Sequence, residues 1–231
     1  YEEPDNLQVD VVLGDLIEIG EHRLLCGDST CSDTVEKLMD GQKADMVFTD
    51  PPYLMNFTGN VNNDGSKSFN SKHGAIKNDS MTREEGDEFI SDLVSNIKIF
   101  CKGAYYICFY RLGIDYVTRA LDVNDLKYRA LIIWFKNGGT LSNSDYKSNY
   151  EPIFYGWTDE HNFYGGNAEW DFWDISKTKK NDLHPTMKPI PLCERAINNS
   201  SKKEEIVMDL FLGSGSTMVA SHQLKRKCYG M

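Results

Sequence analysis

The sequence predicts an α/β protein, an open sheet whose strands alternate with helices. Three observations predict it. The apolar run Met46-Val47-Phe48-Thr49 stops at Asp50-Pro51-Pro52-Tyr53. Two consecutive prolines have no N–H to donate, so they cannot continue a sheet ladder and mark a strand end. A second apolar run, Ile206-Val207-Met208-Asp209, leads into Leu210-Phe211-Leu212-Gly213-Ser214-Gly215-Ser216-Thr217. Strand, acid, glycine-rich turn and helix in that order form a βα unit. Between the two, short apolar runs alternate with segments whose apolar residues recur at helical spacing. In open α/β sheets ligands bind at the carboxyl edge of the strands, where Asp50 and Asp209 both fall.

The elements follow in order. Residues 11–25 alternate apolar and polar around Gly20-Glu21, which reads as a hairpin. Its second arm leads to Asp28-Ser29, an acid at a strand end that can meet a ligand or simply cap the next helix. Residues 30–40 place Val35, Leu38 and Met39 on one helical face, and Gly41 ends that helix. The strand Ala44–Thr49 and its Asp-Pro-Pro-Tyr turn come next. Residues 54–78 are rich in Asn, Gly, Ser and Lys without a pattern, as expected of a mobile loop, and Lys67, Lys72, His73 and Lys77 make it locally basic. Thr82 and Glu85 form a capping-box signature for a helix reaching Phe100. Gly103 then precedes a buried strand, Ala104–Phe109. A helix over 112–122, a strand Tyr128–Phe135 and a strand Glu151–Trp157 follow.

The stretch 158–183 is aromatic and loop-like, with Lys177, Lys179 and Lys180 near its end. Aromatics beside lysines can stack on bases, so this is a candidate small target-recognition segment. His184-Pro185-Thr186-Met187-Lys188-Pro189 feeds a helix over 190–199. The Ile206–Asp209 strand, its glycine turn, a helix to Leu224 and a strand starting at Lys227 complete the chain.

Composition narrows the class. With 231 residues and a 40% apolar fraction, the chain can bury a sizeable core as a single domain. No apolar run reaches the roughly 18 residues of a membrane span. The six cysteines are scattered without a C-x-x-C pair, which argues for reduced thiols and against a metal site. A cytoplasmic protein is expected. The net charge of −10 disfavours a nucleic-acid partner overall, although a basic groove can sit on an acidic body. The first residue is Tyr1 and the start has no signal-peptide character, so the chain is expected to be a piece of a longer one.

The glycine-rich turn leaves three cofactor types to weigh. A P-loop ends in Gly-Lys-Ser/Thr, and this turn has no lysine. A dinucleotide fingerprint needs a third glycine for close helix packing, and Met218 stands there. S-adenosylmethionine carries no pyrophosphate and requires neither. Asp209 would then face its cationic or amine end.

Taken together, these motifs resemble the DNA amino-methyltransferases, which methylate exocyclic nitrogens of adenine or cytosine, including those of restriction–modification systems. Asp50-Pro51-Pro52-Tyr53 resembles their catalytic motif, Asp209–Gly215 their cofactor motif, and His184–Pro189 the segment before it. Trp134-Phe135-Lys136 and Glu151-Pro152 are similar less specifically. The catalytic motif precedes the cofactor motif, as in the permuted β class, and Asp rather than Ser at the first position resembles the adenine-N6 group.

The resemblance implies a Rossmann-like, circularly permuted S-adenosylmethionine-dependent methyltransferase fold with a mixed seven-stranded sheet. In it the Asp28 arm is the usual third strand, Met46–Asp50 the fourth, Ile206–Asp209 the first and Cys228–Met231 the start of the second. It implies Asp28, His184, Thr186, Lys188, Asp209, Phe211, Gly213, Ser214, Gly215, Ser216 and Thr217 as cofactor contacts, with Lys188 on the cofactor carboxylate. Ser214, Ser216 and Thr217 are equally placed to cap the following helix. Candidate DNA contacts are Lys67, Lys72, Lys136, Lys177, Lys179 and Lys180. Double-stranded DNA is the implied partner, with a homodimer and an additional N-terminal domain as further expectations. The alternatives are a cytosine-N4 methyltransferase and a catalytically silent cofactor-binding DNA module.

Overall fold

A computed structural model describes residues 10–54, 81–138, 145–167, 169–177 and 187–231. Its strands are β1 Leu16–Ile19, β2 His22–Leu25, β3 Ala44–Thr49, β4 Cys101–Cys108, β5 Tyr128–Phe135, β6 Tyr150–Trp157, β7 Phe172–Asp174, β8 Ile206–Asp209 and β9 Lys227–Gly230. Its helices are α1 Ser32–Met39, α2 Arg83–Phe100, α3 Ile114–Val123, α4 Ile190–Ser200 and α5 Ser216–Gln223.

All nine strands form one sheet, in the order β1-β2-β9-β8-β3-β4-β6-β5-β7. From β2 to β4 neighbouring strands run parallel. β6 lies antiparallel between β4 and β5. The seven expected strands are all present. Two short edge strands extend the sheet to nine: β1, the first arm of the hairpin, and β7, within the stretch read from sequence as loop. β7 could not be read from periodicity because three residues carry no pattern; its ladder to Ile133–Phe135 of β5 defines it.

The order explains how distant segments meet. From β3 the chain moves one way to β4, and from β8 it moves the other way to β9. β3 and β8 are direct neighbours, with Met46 opposite Val207 and Val47 opposite Met208. That is a topological switch point, where strand ends leave a crevice. The Asp28 arm, β2, lies beside β9 on the same side.

Helices cover both faces. Val35 of α1, Ile90 and Leu93 of α2 and Val117 of α3 pack with Val47, Tyr105 and Ile107 on one face. Leu192, Cys193 and Ala196 of α4 and Ala220 of α5 pack with Phe48, Tyr106, Trp134 and Trp173 on the other. The α2 capping box forms as its sequence predicts: the Thr82 hydroxyl accepts from the Glu85 N–H, and the Glu85 carboxylate accepts from the Thr82 N–H. α1 ends one residue earlier than expected, because Asp40 itself adopts the left-handed cap at φ 52°. Gly103 is not a break before a strand. α2 runs straight into β4, and Gly103 lies inside that strand where a Cβ would sit 2.0 Å from the Asp45 carbonyl oxygen.

Candidate active site

Asp50 follows the last residue of β3, and Asp209 is the last residue of β8. The two carboxylates therefore share one crevice, yet their surroundings differ. Asp50 is already paired: Lys188 Nζ donates to its Oδ2 at 2.6 Å, and the Tyr53 hydroxyl donates to its Oδ1 at 2.9 Å. Asp209 is 3% exposed and has no cation partner among the described residues. Its Oδ1 accepts the Phe211 N–H at 3.1 Å. Burial dominates and pushes its carboxyl up to about 6.

The Asp50 turn is held from three sides. Tyr53 stacks on Tyr110 at 5.9 Å and tilts against Phe109 at 5.5 Å. Leu54, directly after it, takes the left-handed conformation at φ 58°. Its side chain seats over Gly86 of α2, where a Cβ would lie 2.8 Å from Leu54 Cδ1 and 3.0 Å from Tyr116 Cε1. Gly86 thus makes room for the residue that leaves the turn.

Lys188 is the hub of the charges. Its side chain is 10% exposed and also lies 3.3 Å from Glu151 Oε2, within ion-pair reach. Glu151 Oε1 accepts a hydrogen bond from Lys136. Lys136 follows β5 and Glu151 lies in β6, where it faces Trp134 across the antiparallel pair. Two lysines and two carboxylates therefore alternate through the site. Burial alone would lower the Lys188 pKa, but Asp50, Tyr53 and Glu151 outweigh it and hold the ammonium charged. For Glu151 burial works upward, and Lys188 and Lys136 outweigh it, so its pKa is lowered. For Asp50 burial outweighs Lys188, and the pKa is raised. Both Asp50 oxygens accept hydrogen bonds, which is the pattern of a carboxylate.

Gly213 and Gly215 sit at φ 52° and 84°, and at Gly215 an added Cβ would meet nothing within 4 Å. The backbone there takes a conformation that suits glycine and stands open to a ligand. Phe211 packs on Phe89 at 5.7 Å. Ser214 is exposed, whereas Ser216 and Thr217 are buried at the start of α5 and Thr217 points to Cys193 Sγ at 3.9 Å. The α5 cap is Gly215 without a side-chain hydrogen bond, so none of these hydroxyls caps it. Asp28 accepts from the N–H and hydroxyl of Thr30 at 2.9 and 2.7 Å, a local turn rather than a cap of α1, whose cap is Cys31.

These placements refine the sequence expectations. Asp50, Tyr53, Lys188 and Asp209 converge at the switch point. Lys188 meets Asp50 and Tyr53, where the resemblance had it on a cofactor carboxylate. Lys136, expected on DNA, turns inward onto Glu151 because that buried carboxylate needs a counter-charge. Lys177 is exposed. Lys67, Lys72, Lys179, Lys180, His184 and Thr186 lie outside the described residues, as does the 55–78 part of the expected loop. Glu151 was missed as a site residue. Its signal was an acid and a base, Lys136 and Glu151, at the joined ends of two consecutive apolar strands.

A buried carboxylate with no cation partner among the described residues, beside an open glycine turn, fits a ligand that brings its own positive charge, and S-adenosylmethionine is such a ligand. The sheet order, the switch-point acids and this turn together define a Rossmann-like methyltransferase. Comparison agrees. The DNA methylase family model matches residues 44–231. The type II methyltransferase M2.DpnII of Streptococcus pneumoniae is 30% identical over 222 residues, covering 87% of this chain and 82% of that protein. M2.LlaDCHI of Lactococcus lactis subsp. cremoris is 28% identical, covering 82% and 77%. Among solved structures, the M1.HpyAVI–SAM complex aligns with a TM-score of 0.59 at 22% identity over 86% of this chain and 85% of that one. The cytosine-N4-specific PvuII DNA methyltransferase aligns at 0.65 and 15% identity over 90% and 80%. The chain belongs to the DNA methylase family and is an S-adenosylmethionine-dependent DNA methyltransferase.

Proposed function

We propose that this chain transfers a methyl group to the exocyclic N6 of a flipped-out adenine in double-stranded DNA. The observation that carries the reading is the convergence of Asp50 and Asp209 at the carboxyl ends of adjacent parallel strands. S-adenosylmethionine, when bound, supplies an electrophilic methyl on a sulfonium. Asp209, the Gly213–Gly215 turn, Phe211 and Asp28 are the residues proposed to hold it. Ionised Asp209 offers the negative charge that a cationic ligand favours.

The adenine amine is a poor nucleophile because its lone pair is delocalised into the ring. Asp50 and the Pro51 carbonyl can each accept one of its N–H bonds, which pulls the nitrogen toward tetrahedral geometry and localises the pair. The bond to Asp50 is charge-assisted and the stronger. Two prolines fix both acceptors, and orientation supplies much of the rate. The amine is unreachable inside a duplex, so the base must leave the stack. Tyr53 is the aromatic residue proposed to stack on it, and base–aromatic stacking contributes roughly 1–3 kcal/mol.

Trp170 and Phe172, 76% and 52% exposed, with Lys177 close behind in sequence, support 158–183 as a DNA-facing segment. A homodimer also belongs to this proposal. No helix among the described residues is long and apolar enough to cross a membrane, and a cytoplasmic location goes with a DNA substrate.

The test is a labelled-methyl transfer assay on unmethylated DNA followed by nucleoside analysis. The expected product is N6-methyladenine, lost on Asp50→Ala.

A further inference from the structure

Lys188 has a second carboxylate within reach. Glu151 Oε2 lies 3.3 Å from its Nζ, and that oxygen is shut off from solvent and accepts no hydrogen bond. The other oxygen is bonded to Lys136, so Glu151 keeps a counter-charge wherever Lys188 goes. An acceptor buried without a hydrogen bond is unfavourable, and here it stands beside a donor aimed elsewhere. Lys188 donates to Asp50 Oδ2 and to the Tyr53 hydroxyl at 2.6 and 3.0 Å. That position conflicts with methyl transfer. The amine nitrogen gains positive charge as it is methylated, and an ammonium on the same carboxylate opposes it.

We propose that Lys188 is a two-seat cation. It rests on Asp50 and Tyr53 while the target base is absent, and moves onto Glu151 Oε2 when the amine docks on Asp50. This rests on the amino-methyltransferase reading above. Glu151 is then a positioning residue, acting through Lys188. The move transfers no proton and leaves the total charge of Lys136, Glu151, Lys188 and Asp50 unchanged. Only the cation's distance from the reacting nitrogen changes.

Single-turnover methylation of unmethylated plasmid DNA tests it. Glu151→Gln keeps the shape but removes the second seat, and its rate is expected to fall about 100-fold while cofactor Kd changes less than about threefold. Adding Lys188→Met to that variant removes the stranded cation. At about pH 8.5, chosen to favour the carboxylate form of Asp50, the double variant is expected to be at least about tenfold faster than Glu151→Gln. A purely structural role gives no such rescue. Should Glu151→Gln fail to fold, Lys136→Met/Glu151→Gln removes one charge of each sign and takes its place in the same comparison. A seat-removed variant within about threefold of wild type, or no faster after Lys188→Met, overturns the proposal. Wild-type protein that yields no N6-methyladenine overturns the functional reading instead, which keeps the two failures distinct.

Discussion

Lys188 Nζ lies 2.6 Å from Asp50 Oδ2, so the carboxylate proposed to receive the target amine already carries a cation. The pair joins residues 138 positions apart in sequence, one from the turn after β3 and one just before α4. It sets the protonation of the site: burial raises Asp50 and Lys188 lowers it.

Removing Lys188 therefore lets Asp50 titrate at higher pH. Methyl transfer needs the carboxylate form, so Lys188→Met shifts the acid limb of the pH–rate profile upward. Its rate deficit is larger at the acid end of the assay range than at the alkaline end. Stopped assays across that range check this, and an unshifted limb contradicts it.

Asp50→Asn keeps the shape and abolishes the charged acceptor. The expected loss in kcat is about 1,000-fold, equivalent to about 4 kcal/mol in the barrier. Cofactor affinity, measured by calorimetry, stays within about threefold because Asp209 and the glycine turn, not Asp50, are the groups proposed to hold the cofactor.

Asp209 gives a second pH signature. Its carboxyl is raised from 3.8 to about 6 in the folded protein. The native state thus binds this proton more tightly than the unfolded chain. Its contribution to stability is full below about pH 4 and is lost as pH rises through about 6. The cost of the buried, unpaired charge above that is on the order of 3 kcal/mol. Cofactor binding has the opposite dependence, since a cationic ligand prefers the ionised form, so Kd weakens as pH falls below about 6. Asp209→Asn is expected to raise the melting temperature of the ligand-free protein at neutral pH and to flatten the pH dependence of Kd.

Gly86→Ala sets two effects against each other. Helix propensity favours alanine by about 1 kcal/mol. Overpacking against Leu54 and Tyr116 costs about 1–3 kcal/mol, because the new Cβ would sit 2.8 and 3.0 Å from their carbons. Packing wins here: Leu54 follows Tyr53 directly, so the turn is displaced. A several-fold drop in kcat with little gain in thermal stability is expected.

Asn96 of α2 is 2% exposed and donates to the Ser29 carbonyl at 2.9 Å, tying the Asp28 loop to the helix. Asn96→Ala leaves that carbonyl unpaired and is expected to cost about 1–3 kcal/mol in denaturant unfolding.

Much of this was legible in the sequence, for physical reasons that differ by residue. The Asp50 turn was visible because two prolines end a strand, and the α2 start because Thr82 and Glu85 are spaced as a capping box. The adjacency of β3 and β8 followed only from motif order in a known family, since no local pattern encodes which parallel strands pair. The Lys188–Glu151–Lys136 chain was not legible as a site. Long charged side chains at loop and strand ends read as solvated, and only the β5–β6 pairing and α4 packing turn these inward. Edge strand β7 was not legible for the opposite reason, being too short to carry a period, whereas β1 was legible as the first arm of the hairpin.

The most direct test of the central claim is nucleoside analysis of DNA after incubation with this protein and methyl-labelled S-adenosylmethionine, alongside the Asp50→Asn variant. The account predicts label in N6-methyladenine for the wild type and its loss in the variant. Label in N4-methylcytosine, or equal N6-methyladenine from both proteins, would contradict it.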